Sequence, residues 1–194
     1  MKKSYLLILA MIILAACSTE QTDKNISVGD ALTNYSSNLD GKTFLIFPEM
    51  RERPLKWFDS IPEGRLLSAL GNNTFSLNAR PGEFYVFQVG AWAFDSEVED
   101  LKITFSDFTG SGGKKITAEK VTCFNSGGTN IYGRQFEKTI SISAGRVQAL
   151  WFGMDLDEVP EGKYRGTVTV KSENEEHSLE FLLRVSGEEV VNNG

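Results

Sequence analysis

The sequence is poor in the residues that most often build catalytic and metal sites. It has one histidine, His177, so no zinc site with several histidine ligands can be assembled. A Ser-His-Asp triad would have to use this imidazole, which lies in an acidic run outside any nucleophile-elbow motif. We therefore predict that His177 is a solvated residue at a hairpin turn, and we expect no catalytic residue, metal ion or cofactor.

Cysteine is almost as scarce, with only Cys17 and Cys123. Before Cys17 come Lys2 and Lys3, an apolar run over residues 6–14, and two alanines. That run is too short for a good membrane-spanning helix. The pattern resembles the lipobox of bacterial lipoproteins, which implies cleavage before Cys17, acylation of its thiol, as by palmitate, and attachment to a membrane through lipid chains. The alternative is an ordinary secretory signal with an incidental cysteine.

These features divide the chain into a signal peptide over 1–16, a lipidated tether over 17–24 and one domain over 25–187. Ser18, rather than an aspartate, follows Cys17, which favours the outer membrane of the cell envelope. Within the domain only Cys123 remains, so no internal disulfide can form. It lies in a strand-like run, which favours a buried thiol over a nucleophile.

Basic residues are also in deficit. The chain has 20 lysines and arginines against 26 aspartates and glutamates, for a formal charge of −6. Without Lys2 and Lys3 the balance is 18 against 26, a charge of −8. An acidic chain argues against nucleic acid as a partner.

No convincing helical period is present, whereas alternation of apolar and polar residues recurs along the chain. The stretch 146–171 reads as strand, tight turn and strand, with apolar residues on both faces of the first arm. Pro160 and Gly162 are typical of the turn, where Gly162 or its neighbour would take a positive φ. Roughly eight to ten such strands predict an all-β, antiparallel sandwich of immunoglobulin or jelly-roll type, with a closed barrel as the alternative.

Two glycine-rich stretches, 109–115 and 125–130, invite a phosphate-binding interpretation. Neither has the spacing of a P-loop, and no predicted helix follows to supply an N-terminal dipole. We interpret both as flexible connections.

Acidic residues cluster at Asp155, Asp157 and Glu158, after the first arm of the 146–171 stretch. Adjacent side chains on an extended strand point to opposite faces, so Asp157 and Glu158 are poorly placed as a glycosidase pair. The spacing of Asp155, Asp157 and Glu161 also lacks the EF-hand pattern for calcium. We predict a solvated acidic flank.

Aromatic residues suggest binding instead. Trp92 and Trp151 lie in strongly apolar strands, where a core position is favoured. Trp57 and Tyr132 lie among polar neighbours, so they are our candidates for contact with a glycan.

Three stretches carry a family resemblance. Residues 79–93 contain a Gly-Glu pair that leads into an aromatic strand with Phe-Gln-Val-Gly, and residues 102–108 read K-I-T-F-S-D-F. Residues 150–166 add Leu-Trp and the run V-P-E-G-K-Y-R-G. Over about 75–187 the chain resembles the N-terminal β-sandwich domain of bacterial glycoside hydrolase family 123 and its relatives.

The resemblance implies a domain that precedes a catalytic (β/α)₈ barrel in β-N-acetylgalactosaminidase-like enzymes. No catalytic residue of that barrel matches a position of this sequence. Residues 188–194 are then expected to start a linker toward a missing or separate downstream domain. The expected role is non-catalytic support of glycan degradation, and the alternative is a stand-alone lipoprotein that binds carbohydrate or protein.

Overall fold

The computed structural model describes residues 24–55, 60–71 and 74–191, which form two packed β-sheets and a small helical layer. The first strands and helices are β1 (Asn25–Ser27), α1 (Val28–Asn34), α2 (Ser36–Leu39), β2 (Phe44–Glu49), β3 (Ser60–Pro62), α3 (Glu63–Gly71), β4 (Thr74–Ala79) and β5 (Phe84–Ala93). The remaining strands are β6 (Val98–Phe105), β7 (Phe108–Gly110), β8 (Lys115–Ile116), β9 (Val121–Cys123), β10 (Gly127–Thr129), β11 (Gln135–Glu137), β12 (Ile140–Ile142), β13 (Val147–Asp155), β14 (Gly162–Lys171) and β15 (Glu176–Val185).

The two main sheets confirm the predicted all-β sandwich. The small sheet has the order β2-β5-β13-β9, and the large sheet runs β12-β6-β14-β15-β4, with β7 paired to β14 and β8 paired to β7. Pairing is antiparallel except between β15 and β4, which run parallel. The core lies between the sheets, where Phe87 is 5.2 Å from Phe152 and 5.1 Å from Phe181, measured between ring centroids.

The stretch 146–171 is not a hairpin, contrary to the sequence prediction. β13 lies in the small sheet between β5 and β9, and β14 lies in the large sheet between β6 and β15. The connection therefore crosses the end of the sandwich. The Tyr164 hydroxyl donates to the carbonyl of Pro160, 2.6 Å away, four residues upstream. This is the tyrosine-corner arrangement of Greek-key sandwiches, which fastens a chain where it changes sheets.

The sequence prediction also assigned the positive φ of this connection to the wrong residue. Glu158 has φ +57°, and Gly162 is not in the left-handed region. Gly162 instead begins β14, where a Cβ would lie 3.3 Å from the Tyr164 ring. Burial of Leu156 and Val159 on either side of the turn explains why the backbone bends at Glu158.

The helical layer was not predicted. α1, α2 and α3 have seven, four and nine residues, too few turns for a hydrophobic period to stand out in the sequence. Ser27 caps α1 by accepting from the amide of Asp30 at 3.2 Å. The layer covers one end of the outer face of the small sheet, where Trp92 is fully buried.

Two alternating runs of the sequence do not form single strands. The run 116–124 is interrupted by a 3₁₀ turn, Ala118–Lys120, between β8 and β9. The run 136–143 is divided between β11 and β12, and Phe136 is exposed. The Gly-rich 125–130 stretch is not a free loop, because Gly127–Thr129 pairs with Gln135–Glu137. Within the described ranges, none of the helices is both long and apolar enough to cross a membrane.

Candidate binding surface

Tyr132 is the one of the two glycan candidates that lies within the described residues. It lies at the tip of the β10–β11 hairpin, 78% exposed, beside Ile131, which is 91% exposed. Asn130 shapes this tip, because its Oδ1 accepts from the amides of Tyr132 and Arg134, both at 3.0 Å. Trp57 and Cys17 lie outside the described residues.

The core position predicted for Trp92 is confirmed, whereas the core position predicted for Trp151 is wrong. Trp92 is fully buried beneath the helical layer, packed edge-on to Phe94 with ring centroids 5.4 Å apart. Trp151 is only half-buried, because its part of the outer face lies beyond the helices. Cys123 is a buried thiol, as predicted, and burial raises its pKa, which disfavours the reactive thiolate.

A pair of exposed phenylalanines was missed by sequence reasoning. Phe84 and Phe124 are 54% and 46% exposed, and their ring centroids are 6.3 Å apart. Both rings lie over Gly153, where a Cβ would come within 2.4 Å of Phe84 and 2.6 Å of Phe124. We call these three residues the aromatic platform. Gly153 is the feature of the sequence that could have revealed this platform, since glycine within a central strand often marks close approach of another group.

Hydrogen bonds at the edge of the small sheet fix the backbone beside the platform. β9 pairs with β13 only over three residues, and beyond it the Asn125 side chain continues the pairing. Asn125 Oδ1 accepts from the amide of Trp151 at 2.6 Å, and its Nδ2 donates to the carbonyl of Ala149 at 3.0 Å. These two bonds fix the backbone immediately after Phe124.

Carboxylates flank the platform at one end. Asp155 is the register partner of Phe84 across β13 and β5. Asp155 and Asp157 line an open concavity of about 890 Å³ that Phe84 and Val191 share. Asp155 Oδ1 accepts from the amide of Asp157 at 2.9 Å, which closes a local turn. The acidic flank is exposed, as predicted, and no group of three or more metal-binding side chains occurs among the described residues.

An aromatic face beside carboxylates has a definite binding chemistry. The apolar face of a sugar ring can pack on phenylalanine, and ionised carboxylates accept hydrogen bonds from hydroxyl groups. Concave surfaces with an apolar floor and a few placed polar groups are the usual form of small-molecule sites. The arrangement suits a neutral saccharide.

His177 is not a solvated turn residue, which corrects the sequence prediction. The turn between β14 and β15 is short, so His177 pairs with Val170 inside the sheet, and its side chain is 13% exposed. Its ring packs edge-on to Phe44 with centroids 4.6 Å apart, and its Nε2 lies 2.6 Å from Glu175 Oε1. Glu175 Oε2 accepts from the Thr43 hydroxyl at 2.5 Å, so the carboxylate separates the hydroxyl from the imidazole. A hydrolytic triad requires the imidazole between them.

This cluster gives stability that depends on pH. Burial acts to raise the pKa of Glu175, but hydrogen bonds from Thr43 and His177 outweigh it, so the pKa lies below its ordinary value. A lowered carboxyl pKa stabilises the fold above the unfolded-state pKa, about 4.3, and this contribution is lost as the pH falls through the folded-state pKa. We expect the urea midpoint to fall less between pH 6 and pH 3 in Glu175→Gln than in the wild type. Glu173→Gln, at an exposed neighbour, is the control and should follow the wild type; equal falls in all three proteins would contradict the assignment.

The chain is similar to known proteins in its fold. No protein-family model matches the chain, and no curated protein matches it. Among solved structures, the chain is similar to a family 123 glycoside hydrolase from Clostridium perfringens that hydrolyses glycolipid glycans, with a TM-score of 0.50 and 16% identity, over 75% of this chain and 27% of that chain. The CooA pilin subunit from enterotoxigenic Escherichia coli matches with a TM-score of 0.36 and 12% identity, over 74% of this chain and 99% of that one. At 16% identity the likeness to the Clostridium enzyme shows the fold alone, and this chain spans about a quarter of that enzyme's length.

Proposed function

We propose that this chain is a non-catalytic β-sandwich domain of a glycoside hydrolase family 123-like lipoprotein that supports glycan degradation by holding a saccharide. The observation that carries the proposal is the aromatic platform, two half-exposed rings over Gly153 with carboxylates at one end. The sequence resemblance over about 75–187 and the likeness in fold to part of a family 123 enzyme support the link to glycans.

A glycan array probed with the purified full chain tests this function. We expect saccharide binding that falls about tenfold, or about 1.4 kcal/mol, in Phe84→Ala and in Phe124→Ala. Gly153→Ala should weaken binding as well, because its Cβ displaces both rings without removing an aromatic atom. Stability should change little in Gly153→Ala, since the two rings can move outward into solvent.

Phe136→Ala is the matched control, because Phe136 is 46% exposed, as Phe124 is, but lies on β11. Tyr132→Ala separates the platform from the candidate predicted from sequence: loss of binding there would move the site to the hairpin tip. No array signal with wild-type protein would count against a glycan role. Release of the aryl group from an aryl N-acetylgalactosaminide by the chain would overturn the non-catalytic assignment.

A second role for the platform, contact with a catalytic (β/α)₈ barrel, is favoured by the course of the last described residues. The amide of Ser186 donates to the carbonyl of Ala79 at 3.0 Å, and that of Val190 to the carbonyl of Pro81 at 2.8 Å. Val191 thereby lies beside Phe84 in the acidic concavity. Co-purification of a hydrolase that is lost in Phe84→Ala, together with a silent glycan array, would favour this role.

Membrane attachment is the remaining part of the proposal, and it rests on the sequence around Cys17. We expect acylation of Cys17 to hold the chain at the cell envelope, in the outer membrane. Metabolic labelling with an alkyne palmitate analogue should mark the wild type and leave Cys17→Ala unlabelled, with Cys123→Ala labelled as the control. Label that persists in Cys17→Ala would contradict the lipobox assignment.

A further inference from the structure

A second concavity lies on the opposite side of the sandwich, far from the platform in the architecture. It is formed by the outer face of the large sheet across β7, β14, β15 and β4, and its volume is about 480 Å³. Small-molecule sites commonly fall in the range of about 300–1,000 Å³. The residues that alternate with those of this face, such as Tyr164 and Leu183, are buried in the core, so the intervening side chains project outward.

Three basic side chains line the concavity, although the formal charge of the chain is −6. Lys163 and Arg184 are direct register partners across β14 and β15, and Arg165 lies two residues from Lys163 on the same face. Like charges directly opposite one another destabilise a sheet. Arg165 is partly compensated by Glu180, with Nη1 to Oε1 at 3.2 Å. Within the described ranges, the structure shows no ion pair for either Lys163 or Arg184.

A second pair of basic residues lies directly opposite one another elsewhere in the same sheet. Lys102 and Lys171 are also direct partners, across β6 and β14. There Lys171 Nζ lies 3.8 Å from Glu176 Oε2, and Asp100 and Glu173 line the same hollow. Lys171 therefore has an ion-pair partner and two further carboxylates line its hollow, whereas neither Lys163 nor Arg184 has an ion-pair partner among the described residues.

The concavity has an apolar floor and a polar rim. Leu182, half-buried, is the register partner of Arg165 and forms an apolar floor. Ser76 and Asn78 of β4 and Thr109 of β7 are exposed polar side chains at the rim. A guanidinium presents a planar fork that matches carboxylate and similar oxyanions in a bidentate manner, and an ammonium adds a point charge.

We propose that this concavity, defined by Lys163, Arg165, Leu182 and Arg184, binds an anionic saccharide that carries a carboxylate or a sulfate. The sugar ring lies on Leu182, its acidic group contacts Lys163 and Arg184, and its hydroxyls reach the polar rim. The inference does not depend on the proposed function, because it uses the opposite sheet and a ligand of different charge.

Isothermal titration of the purified full chain tests the site with four probes: a sulfated chondroitin disaccharide, a hyaluronan tetrasaccharide, neutral N,N′-diacetylchitobiose and vesicles that contain phosphatidylglycerol. We expect binding of at least one acidic saccharide, weakened more than tenfold in Lys163→Gln/Arg184→Gln and reduced by 0.5 M NaCl, since salt screens exposed charges. The sulfated and carboxylated probes identify which acidic group is preferred. Lys102→Gln/Lys171→Gln is the matched control and should bind as the wild type does.

Several outcomes would overturn the proposal. These are equal loss in both double variants, equal binding of the neutral probe, binding of vesicles alone, or no binding of either acidic saccharide. Phe84→Ala should leave this binding unchanged, so failure here and failure of the platform can be told apart. A second readout does not require a ligand: removing the uncompensated charge in Lys163→Gln should raise the urea midpoint slightly, whereas Lys171→Gln should not.

Discussion

Replacement of Gln88 by leucine is expected to lower the free energy of unfolding by about 3 kcal/mol and to loosen residues 50–55. Gln88 is fully buried in β5, and its amide organises the segment that follows β2. Its Nε2 donates to the carbonyls of Met50 and Arg53 at 2.6 and 2.9 Å, and its Oε1 accepts from the amide of Leu55 at 3.0 Å. Leucine has a similar volume but leaves these groups without a partner, at roughly 1–3 kcal/mol for each group that stays dry.

Urea unfolding measures the loss, and hydrogen exchange locates it. Amide exchange should accelerate over 50–55 while the core strands β5 and β13 keep their relative protection. Gln148→Leu is the control, because Gln148 is half-buried and its side chain donates to the neighbouring carbonyl of Ala149. A uniform acceleration throughout the domain, or no local change, would contradict the assigned role of Gln88.

Gly166→Ala is expected to destabilise the fold by about 1–3 kcal/mol, the usual effect of inserting a methyl group into a packed core. A Cβ at this position would lie 2.4 Å from Cγ of Phe108, whose side chain is fully buried. Unlike the rings over Gly153, Phe108 has no solvent to move into. Gly166 is also part of the sequence pattern that carries the family resemblance, and this contact gives that glycine a physical reason.

Gly29→Ala is the matched control for this substitution. Gly29 lies in α1 with nothing within 4 Å of an added Cβ, so alanine should leave stability unchanged or raise it by up to about 1 kcal/mol. Phe108→Leu should recover part of the loss in Gly166→Ala, which a double-mutant cycle of urea midpoints would detect. Additive effects of the two changes would mean that the ring and the glycine are not coupled.

The strands could be predicted because alternation is a local property. In β5, for example, Tyr85 and Phe87 face the core while Phe84 faces outward, as the period of two requires. What alternation does not tell is which strand is the neighbour. β13 and β14 have the length and linker of a hairpin, but they lie in different sheets, and the corner bond from Tyr164 fastens the crossing.

The binding surfaces could not be predicted from the sequence, because they depend on which strands are neighbours. Phe84 and Phe124 are 40 residues apart in the sequence, and only the β5–β13–β9 register brings them over Gly153. Lys163 and Arg184 likewise meet only through the pairing of β14 with β15. His177 was misplaced because its acidic neighbours suggested solvent, whereas Glu175 turns back to bind it.

The parallel pairing of β4 with β15 has a consequence for how the molecule comes to be folded. Glu180 pairs with Thr74, so this edge joins residues more than a hundred positions apart. Contacts of such sequence separation form slowly, because the intervening loop must close before they contribute. During synthesis, β4 therefore has no partner strand until β15 has been synthesised. Folding that starts only after β15 has been synthesised would avoid exposing that edge on a half-folded sheet.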